Sequence, residues 1–303
     1  MTETSSNIGY AEELDEAPPS PWLFWKTDTF QRLVRHKAFM AGAIVFGIVA
    51  LVAIFAPWIA PTDPNKLAIR FKFRPPSWDY PFGTDNFGRD QLSRVVYGAR
   101  LSLGIGLGVV VLNAVFGILL GAAAGYVRKL DGPLMRLADA FMAFPSILLA
   151  LGIAAALGPS SYTAVIAISV VYIPRTARIV RASVLVVREM EFVQAALACG
   201  ARHSRIVWKH VLPNCMAPLI VQLSFIFAYA VLTEAVLSFL GLGAAPPAPT
   251  WGNIIAEGRT YIREAEWITL IPGIVLAATV LALNLLGDGL RDVLDPRLKV
   301  QQG

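Results

Sequence analysis

The sequence predicts an all-α membrane protein of six transmembrane helices with both termini in the cytoplasm. Of its 303 residues, 56% are hydrophobic and only 16% are charged, whereas soluble domains average about 25% charged residues. Apolar runs of about 20 residues, long enough to cross a hydrocarbon core of about 30 Å, recur along the chain. The strict alternation of apolar and polar residues that a membrane β-barrel needs is absent, so the spans are predicted to be helices.

The apolar runs divide into six predicted spans. They lie at 38–60, 102–127, 137–157, 162–182, 211–237 and 267–288. The fourth has a short apolar part, because Arg175 and Arg178 interrupt it. An even number of spans puts both termini on one side, and most lysines and arginines then face the cytoplasm, as the positive-inside rule requires. We attribute the net charge of +5 to this topology and expect no nucleic-acid partner.

The segments outside the spans differ in character. Residues 1–20 are acidic and contain prolines, and we expect a disordered tail because they offer little apolar surface to bury. Residues 21–37 mix aromatic and basic side chains, which indicates a helix lying in the membrane interface. The other divisions are an external loop or elbow at 61–101, a core of five spans at 102–290 with a cytoplasmic loop at about 183–210, and a cytoplasmic tail at 291–303.

The second span carries Gly117, Gly121 and Gly125 at four-residue spacing. On a helix this spacing places all three glycines on one face. A face without side chains lets another helix approach closely within the membrane. We therefore predict that the second span packs tightly against another span along this stripe.

Motifs of enzyme chemistry are missing from the sequence. It contains no GxxxxGK[ST] phosphate loop, no GxSxG elbow and no HExxH pair. The two cysteines and three histidines show no metal-ligand spacing. We expect no catalytic, cofactor-binding or metal-binding residue in this chain, so its energy must come from an ion gradient or from a partner protein.

A charged, helix-prone stretch separates two apolar runs at 191–214. Small and apolar side chains recur there at helical spacing, which predicts a narrow face; they are Phe192, Ala195, Ala196 and Cys199. Gly200 follows, where a helix commonly ends with positive φ, and Pro213 can open the next helix. Such a helix suits insertion into a groove of a soluble partner. From spacing alone, an ordinary amphipathic linker helix is an equal alternative.

Four ionisable residues fall within or beside the spans: Asp139, Arg175, Glu234 and Asp288. The sequence places Asp139, Arg175 and Asp288 near cytoplasmic ends, and Glu234 near the outer end of the fifth span. Charges at the bilayer centre cost about 2.5–3.5 kcal/mol on insertion scales, so we favour helix-end and inter-helix bonding for all four. A role in gating or lining a pathway is the alternative for Glu234 and Asp139.

Five ordered motifs together resemble the dipeptide/oligopeptide/nickel branch of ABC importer permeases. The resemblance covers about residues 30–299, and it is to the subunit type with an external GTD-GRD segment. The motifs lie at 81–102, 135–145, 194–213, 239–252 and 284–297. The resemblance implies the type I ABC importer permease fold in a bacterial inner membrane.

The resemblance also gives the 191–214 stretch a role. In this family the corresponding EAA loop docks onto a separate ATP-hydrolysing subunit. Carried over residue by residue, the coupling positions are Gln194, Ala195, Ala196 and Gly200, with Leu212 and Pro213 fixing the return of the chain. The first position is glutamine where the family has glutamate, which keeps the helical shape but loses any ion pair from that position.

The family implies partners and a substrate class. These are a second homologous permease, one or two P-loop ATPase subunits that carry ATP and Mg, an extracytoplasmic substrate-binding protein and membrane lipid. Di- or oligopeptides are the expected substrate, while nickel complexes, glutathione and other small solutes stay open. A gradient-driven transporter and a membrane scaffold or receptor are alternatives of other classes.

The external segment permits two interpretations. Its members in the GTD-GRD pattern are Gly83, Thr84, Asp85, Gly88, Arg89 and Asp90. The glycines allow tight turns, and the aspartates can cap turns or pair with the nearby arginines. We favour a packed elbow before the second span over direct contact with substrate or binding protein.

Overall fold

The computed structural model describes residues 28–294, and this part of the chain is helical without a β-strand. The predicted tail at 1–20, residues 21–27 of the interfacial segment and residues 295–303 lie outside it. The helices before the central bend are α1 (Asp28–Arg35), α2 (Lys37–Ile54), α3 (Ala56–Ile59), α4 (Gln91–Tyr126) and α5 (Arg128–Met142). They are followed by α6 (Ser146–Leu157), α7 (Ser161–Val187), α8 (Glu191–Ala198), α9 (His203–Ile206), α10 (Leu212–Asn214), α11 (Met216–Phe239), α12 (Trp251–Gly258) and α13 (Trp267–Leu294).

Five helices in residues 28–294 are long and apolar enough to cross a membrane: α2, α4, α7, α11 and α13. The predicted span 137–157 is instead a pair of helices, α5 and α6, which meet at 91°. Pro145 explains the break, because a proline disfavours helical geometry at the residue before it. By length and composition, residues 28–294 therefore hold five spans, or six if the bent pair crosses as one.

Helix α4 begins at Gln91, whereas the sequence predicted the second span from 102. Asp90 caps it by accepting a hydrogen bond from the Ser93 N–H at 2.7 Å. Arginines among its first residues lower the local hydropathy without breaking the helix. With 36 residues, α4 is about 54 Å long at 1.5 Å per residue and exceeds the bilayer core of about 30 Å.

The glycine stripe of α4 lies against α7. A Cβ on Gly121 would come within 2.5 Å of the Ala177 carbonyl oxygen and 2.6 Å of the Val180 Cβ. Gly117 and Gly125 are similarly closed off by side chains of α7. The two helices therefore touch at backbone distance, as the four-residue spacing predicted.

The two ends of α4 reach the two polar regions of the molecule. Its first turns contact the segment 61–90 and α12, through Asp85 and Glu257. Its last residues contact the 188–215 region, where Arg188 donates to the Gly125 carbonyl at 2.8 Å. A π-helical turn, Val207–Val211, precedes α10 in that region. The pattern of backbone hydrogen bonds changes there because Pro213 has no N–H to donate.

Candidate functional site

Helix α8 is fixed to the end of the α7 helix by an apolar cluster. Val193 is fully buried, and Leu197 packs beside it. The cluster also contains Val184 of α7 and Ile206 and Val211 of the returning chain. One side of α8 is thus anchored by its own chain, which leaves the other side to solvent.

The free side of α8 presents most of the predicted coupling face. Phe192 is 43% exposed, and Ala195 and Cys199 are exposed as well. Ala196 differs, because it is half-buried against the apolar cluster. The structure therefore places three of the four small or apolar positions on one accessible surface and turns Ala196 toward the support.

Gly200 ends α8 in a Schellman arrangement. Its φ is +77°, its N–H donates to the Leu197 carbonyl at 2.9 Å, and the Ala201 N–H donates to the Ala196 carbonyl at 3.1 Å. No atom lies near a Cβ built on Gly200. Its positive φ is therefore the constraint that favours glycine here.

Gln194 makes a contact that the sequence did not predict. Its Nε2 donates to the Arg188 carbonyl at 2.9 Å, at the end of α7. A glutamate has no hydrogen to donate in this position at neutral pH. Gln194 thereby ties α8 to the helix that supports it.

The returning chain is held at several points. Leu212 is buried and Pro213 is exposed at the start of α10. The Tyr126 hydroxyl at the end of α4 lies 2.7 Å from His203 Nδ1. These contacts connect α4 with the short helices after Gly200.

The external segment forms a buried ionic network. Asp85 Oδ2 lies 2.5 Å from Arg89 Nε and 2.8 Å from Arg94 Nη1. Glu257 Oε2 lies 2.5 Å from Arg89 Nη2 and 3.0 Å from Arg94 Nη2. Asp85, Arg89 and Arg94 are almost fully buried. Sequence reasoning missed Glu257, since no local pattern connects it to arginines more than 160 positions earlier.

The other residues of the external motif are also buried in contacts within the chain. Thr84 Oγ1 accepts from the Arg74 N–H at 2.8 Å, and the Thr84 carbonyl accepts from Trp267 Nε1 at 3.1 Å. Gly83 and Gly88 both have a φ of +73°. The arrangement matches a packed elbow, and in this conformation its side chains are closed to a substrate.

Glu234 and Asp139 occupy opposite environments. Glu234 is fully buried, and the Ser238 hydroxyl donates to its Oε1 at 2.6 Å. Asp139 is exposed and pairs with Arg178. Glu234 is thus enclosed by its own chain, Asp139 is accessible in an ion pair, and Asp288 is exposed near the end of α13.

Arg175 lies on α7, twelve residues before its last residue. Helix α7 continues to Val187, so Arg175 is close to its middle. Its Nη2 donates to Ser146 Oγ at 3.2 Å, and its Cζ lies 5.6 Å from the Tyr172 ring centroid. Tyr172 stacks on Tyr229 with ring centroids 6.2 Å apart.

Two protein families match the chain. Residues 114–300 match the family described as binding-protein-dependent transport system inner membrane component. Residues 23–76 match the family described as N-terminal TM domain of oligopeptide transport permease C.

Individual relatives match over almost the whole chain. A Brucella abortus protein named as a peptide transport system permease is 55% identical over 301 residues, which is 99% of this chain and 100% of the relative. The di/tripeptide transport system permease protein DppC of Pseudomonas aeruginosa is 46% identical over 289 residues, 93% of this chain and 94% of that protein.

A solved structure shares the fold. It is a chain of the inward-facing MetNI methionine ABC transporter in its native crystal form, with a TM-score of 0.55 and 20% identity. The match covers 67% of this chain and 97% of that chain. At this identity, the likeness concerns the fold alone.

Proposed function

The chain belongs to the family of binding-protein-dependent transport system inner membrane components, and we propose that α8 is its docking site for an ATPase subunit. The chain is a multi-pass inner-membrane permease of an ABC importer for peptides. The observation that carries this proposal is the pairing of a rigid support with an open face. Val193 holds α8 to the end of α7, while Phe192, Ala195 and Cys199 face outward. A short helix mounted this way can fill a groove of a soluble protein and pass its displacement to α7.

In this proposal the chain binds no nucleotide. ATP and Mg belong to one or two P-loop ATPase subunits, and a second homologous permease completes the pathway. An extracytoplasmic binding protein delivers di- or oligopeptides to the side that carries the ionic network of Asp85 and Glu257. Both termini and α8 then lie in the cytoplasm. The absence of a phosphate-loop motif from the sequence supports this division of labour.

Ala195→Asp tests the docking site, with Ala195→Ser as the matched control at the same position. Ala195 is exposed on the open face, so either side chain is tolerated by the fold of the chain itself. We expect the aspartate to abolish co-purification of the ATPase and peptide uptake, because a charge buried without a partner in a groove is costly. The serine variant should keep both the co-purification of the ATPase and the peptide uptake. Ala196→Asp is less specific, since Ala196 also contacts the apolar cluster.

The measurement is an affinity purification in mild detergent together with ATP-dependent uptake of labelled dipeptide into proteoliposomes. Membrane content of the chain is measured in parallel as the control for insertion. Normal uptake by Ala195→Asp would contradict docking through this face. Uptake that collapses with an uncoupler and needs no ATPase would contradict the importer mechanism. Uptake of a nickel complex or glutathione in place of dipeptides would change the assigned substrate.

A further inference from the structure

Helix α7 and its C-cap residue carry four arginines from position 175 onward. One of these arginines differs from the rest in its ion pairing. Arg178 pairs with Asp139, Arg181 with Asp131, and Arg188 with Glu189. Arg175 forms no ion pair with any carboxylate of residues 28–294. Its positive charge is therefore left uncompensated by the described part of its own chain.

Arg175 is also the arginine farthest from the C-terminal end of α7. It lies 14 residues after Ser161 and 12 residues before Val187, which is about 21 Å and 18 Å along the helix. An arginine within a helix apolar enough to span a membrane is rare, and it faces a bundle interior or a water-filled cavity because contact with lipid is costly. Its exposure in the single chain thus identifies a face of α7 that is turned away from lipid.

The neighbours of Arg175 make that face a polar and aromatic surface. Ser146 at the start of α6 accepts from its guanidinium at 3.2 Å. Tyr172 lies under the guanidinium and stacks against Tyr229, which is 46% exposed. The Tyr172 hydroxyl lies 3.2 Å from Thr233 Oγ1, which holds the ring in place. The cation is thus positioned by its surroundings while further guanidinium hydrogens stay free to donate.

We propose that Arg175 lines the translocation pathway and binds the C-terminal carboxylate of a peptide during its passage. This inference rests on the proposed function, because it takes the peptide as the molecule that moves past α7. A guanidinium presents a planar fork of donors that matches a carboxylate in two parallel hydrogen bonds. The exposed ring of Tyr229 offers an apolar surface beside it for peptide side chains.

Passage requires the contact to be weak, since a pathway site must release what it binds. A water-accessible guanidinium fits this requirement, because water competes for its hydrogens.

The first test measures which environment faces position 175. Arg175→Cys is compared with Ile166→Cys, an exposed position nine residues earlier and on the opposite side of α7. Both variants are assembled into the full importer and treated with a membrane-impermeant thiol reagent, and labelling is located by peptide mass spectrometry. We expect labelling at 175, its reduction during turnover with saturating dipeptide, and none at 166. Absence of labelling at 175 in the assembled importer would place Arg175 against lipid or the second permease and overturn the proposal.

The second test separates carboxylate binding from a structural role. Uptake of a dipeptide and of its C-terminal amide is measured for wild type, Arg175→Gln and Arg175→Lys, each at a concentration that saturates the same binding protein. We expect Arg175→Gln to lower dipeptide uptake about tenfold and amide uptake less than twofold. Arg175→Lys should restore most of the difference between dipeptide and amide uptake. An equal loss for both substrates, or none, would overturn the proposal. Loss of ATP dependence in the wild type would instead refute the proposed function, while the labelling result would still report the environment of Arg175.

Discussion

Gly200 shows how a single backbone angle can serve the proposed coupling surface. It ends α8 with a φ of +77°, and two hydrogen bonds of the Schellman turn close around it. No neighbouring atom would meet a Cβ at this position. The turn sets where the chain leaves α8 and returns to the apolar cluster that supports this helix.

Gly200→Val is predicted to abolish ATP-dependent peptide uptake while leaving membrane insertion intact. A β-branched residue strongly disfavours positive φ, so the turn must rearrange, at a cost of about 1–2 kcal/mol or more. Gly200→Asn is the control, because asparagine tolerates this region. Uptake is measured in proteoliposomes and chain content by immunoblot of membranes; full activity of the valine variant would exclude a role for the turn in coupling.

At the scale of single residues, the sequence was informative about backbone conformation and less informative about which residues contact each other. The turn at Gly200 follows from glycine chemistry, and the common face of Phe192, Ala195 and Cys199 follows from helical spacing, which does not show that this face is open. The half-burial of Ala196 and the bond from Gln194 to the Arg188 carbonyl depend on how α8 sits on α7. Glu257 was missed for the same reason, because its partners are distant in the chain.

Among the elements, α4 and α7 are packed together as one unit. Their backbones meet along the glycine stripe, and Arg188 links the end of α7 to the Gly125 carbonyl. Side chains that would separate the two helices are absent along this contact. In the proposed mechanism, a displacement of α8 that reaches the C-terminal end of α7 would therefore move α4 with it.

Gly121→Ala is predicted to destabilise this unit, with Gly104→Ala as the matched control in the same helix. The added methyl group at 121 would lie 2.5 Å from the Ala177 carbonyl oxygen, whereas no atom lies within 4 Å at 104. Overpacking of this kind costs about 1–3 kcal/mol. The measurement is the thermal unfolding midpoint of the purified chain in detergent, and equal midpoints for the two variants would contradict the close contact.

Element boundaries were the least predictable part of the fold. Hydropathy places the apolar centre of each span, but it cannot show that α4 starts at Gln91, where polar side chains are buried by α12 and α13. The bend between α5 and α6 was hidden within one apolar run, although Pro145 marks its position. The fourth span was predicted to stop at 182, because arginines lower the hydropathy there, and α7 continues to Val187.

Across the whole molecule, α4 separates two polar regions of different construction. One is a closed network of buried charges around Asp85 and Arg94, and the other is the open surface of α8. The first suits a rigid outer frame, and the second suits contact with a moving partner. The proposed topology places the frame outside the cell and α8 in the cytoplasm.

This topology predicts opposite reactivity for two thiols. Cys199 is exposed beside Gly200, so an impermeant thiol reagent should label it in inverted vesicles and not in intact spheroplasts. Asp79→Cys, at an exposed position in the 61–90 segment, should react in spheroplasts. Labelling is measured on the chain expressed without its partners, since a docked ATPase would cover Cys199. Reaction of Cys199 from the outside would reverse the topology.

The buried charges around Asp85 also bear on how the chain matures after synthesis. Arg89 and Glu257 are 168 positions apart, so at about 5–20 residues per second the carboxylate is made roughly 8–34 s after its partner. Until α12 arrives, two arginines share the carboxylate of Asp85 alone. A chain cut short before α12 keeps this excess charge, whereas a finished chain hides it. The closed network is therefore complete only in a chain that has been synthesised through α12.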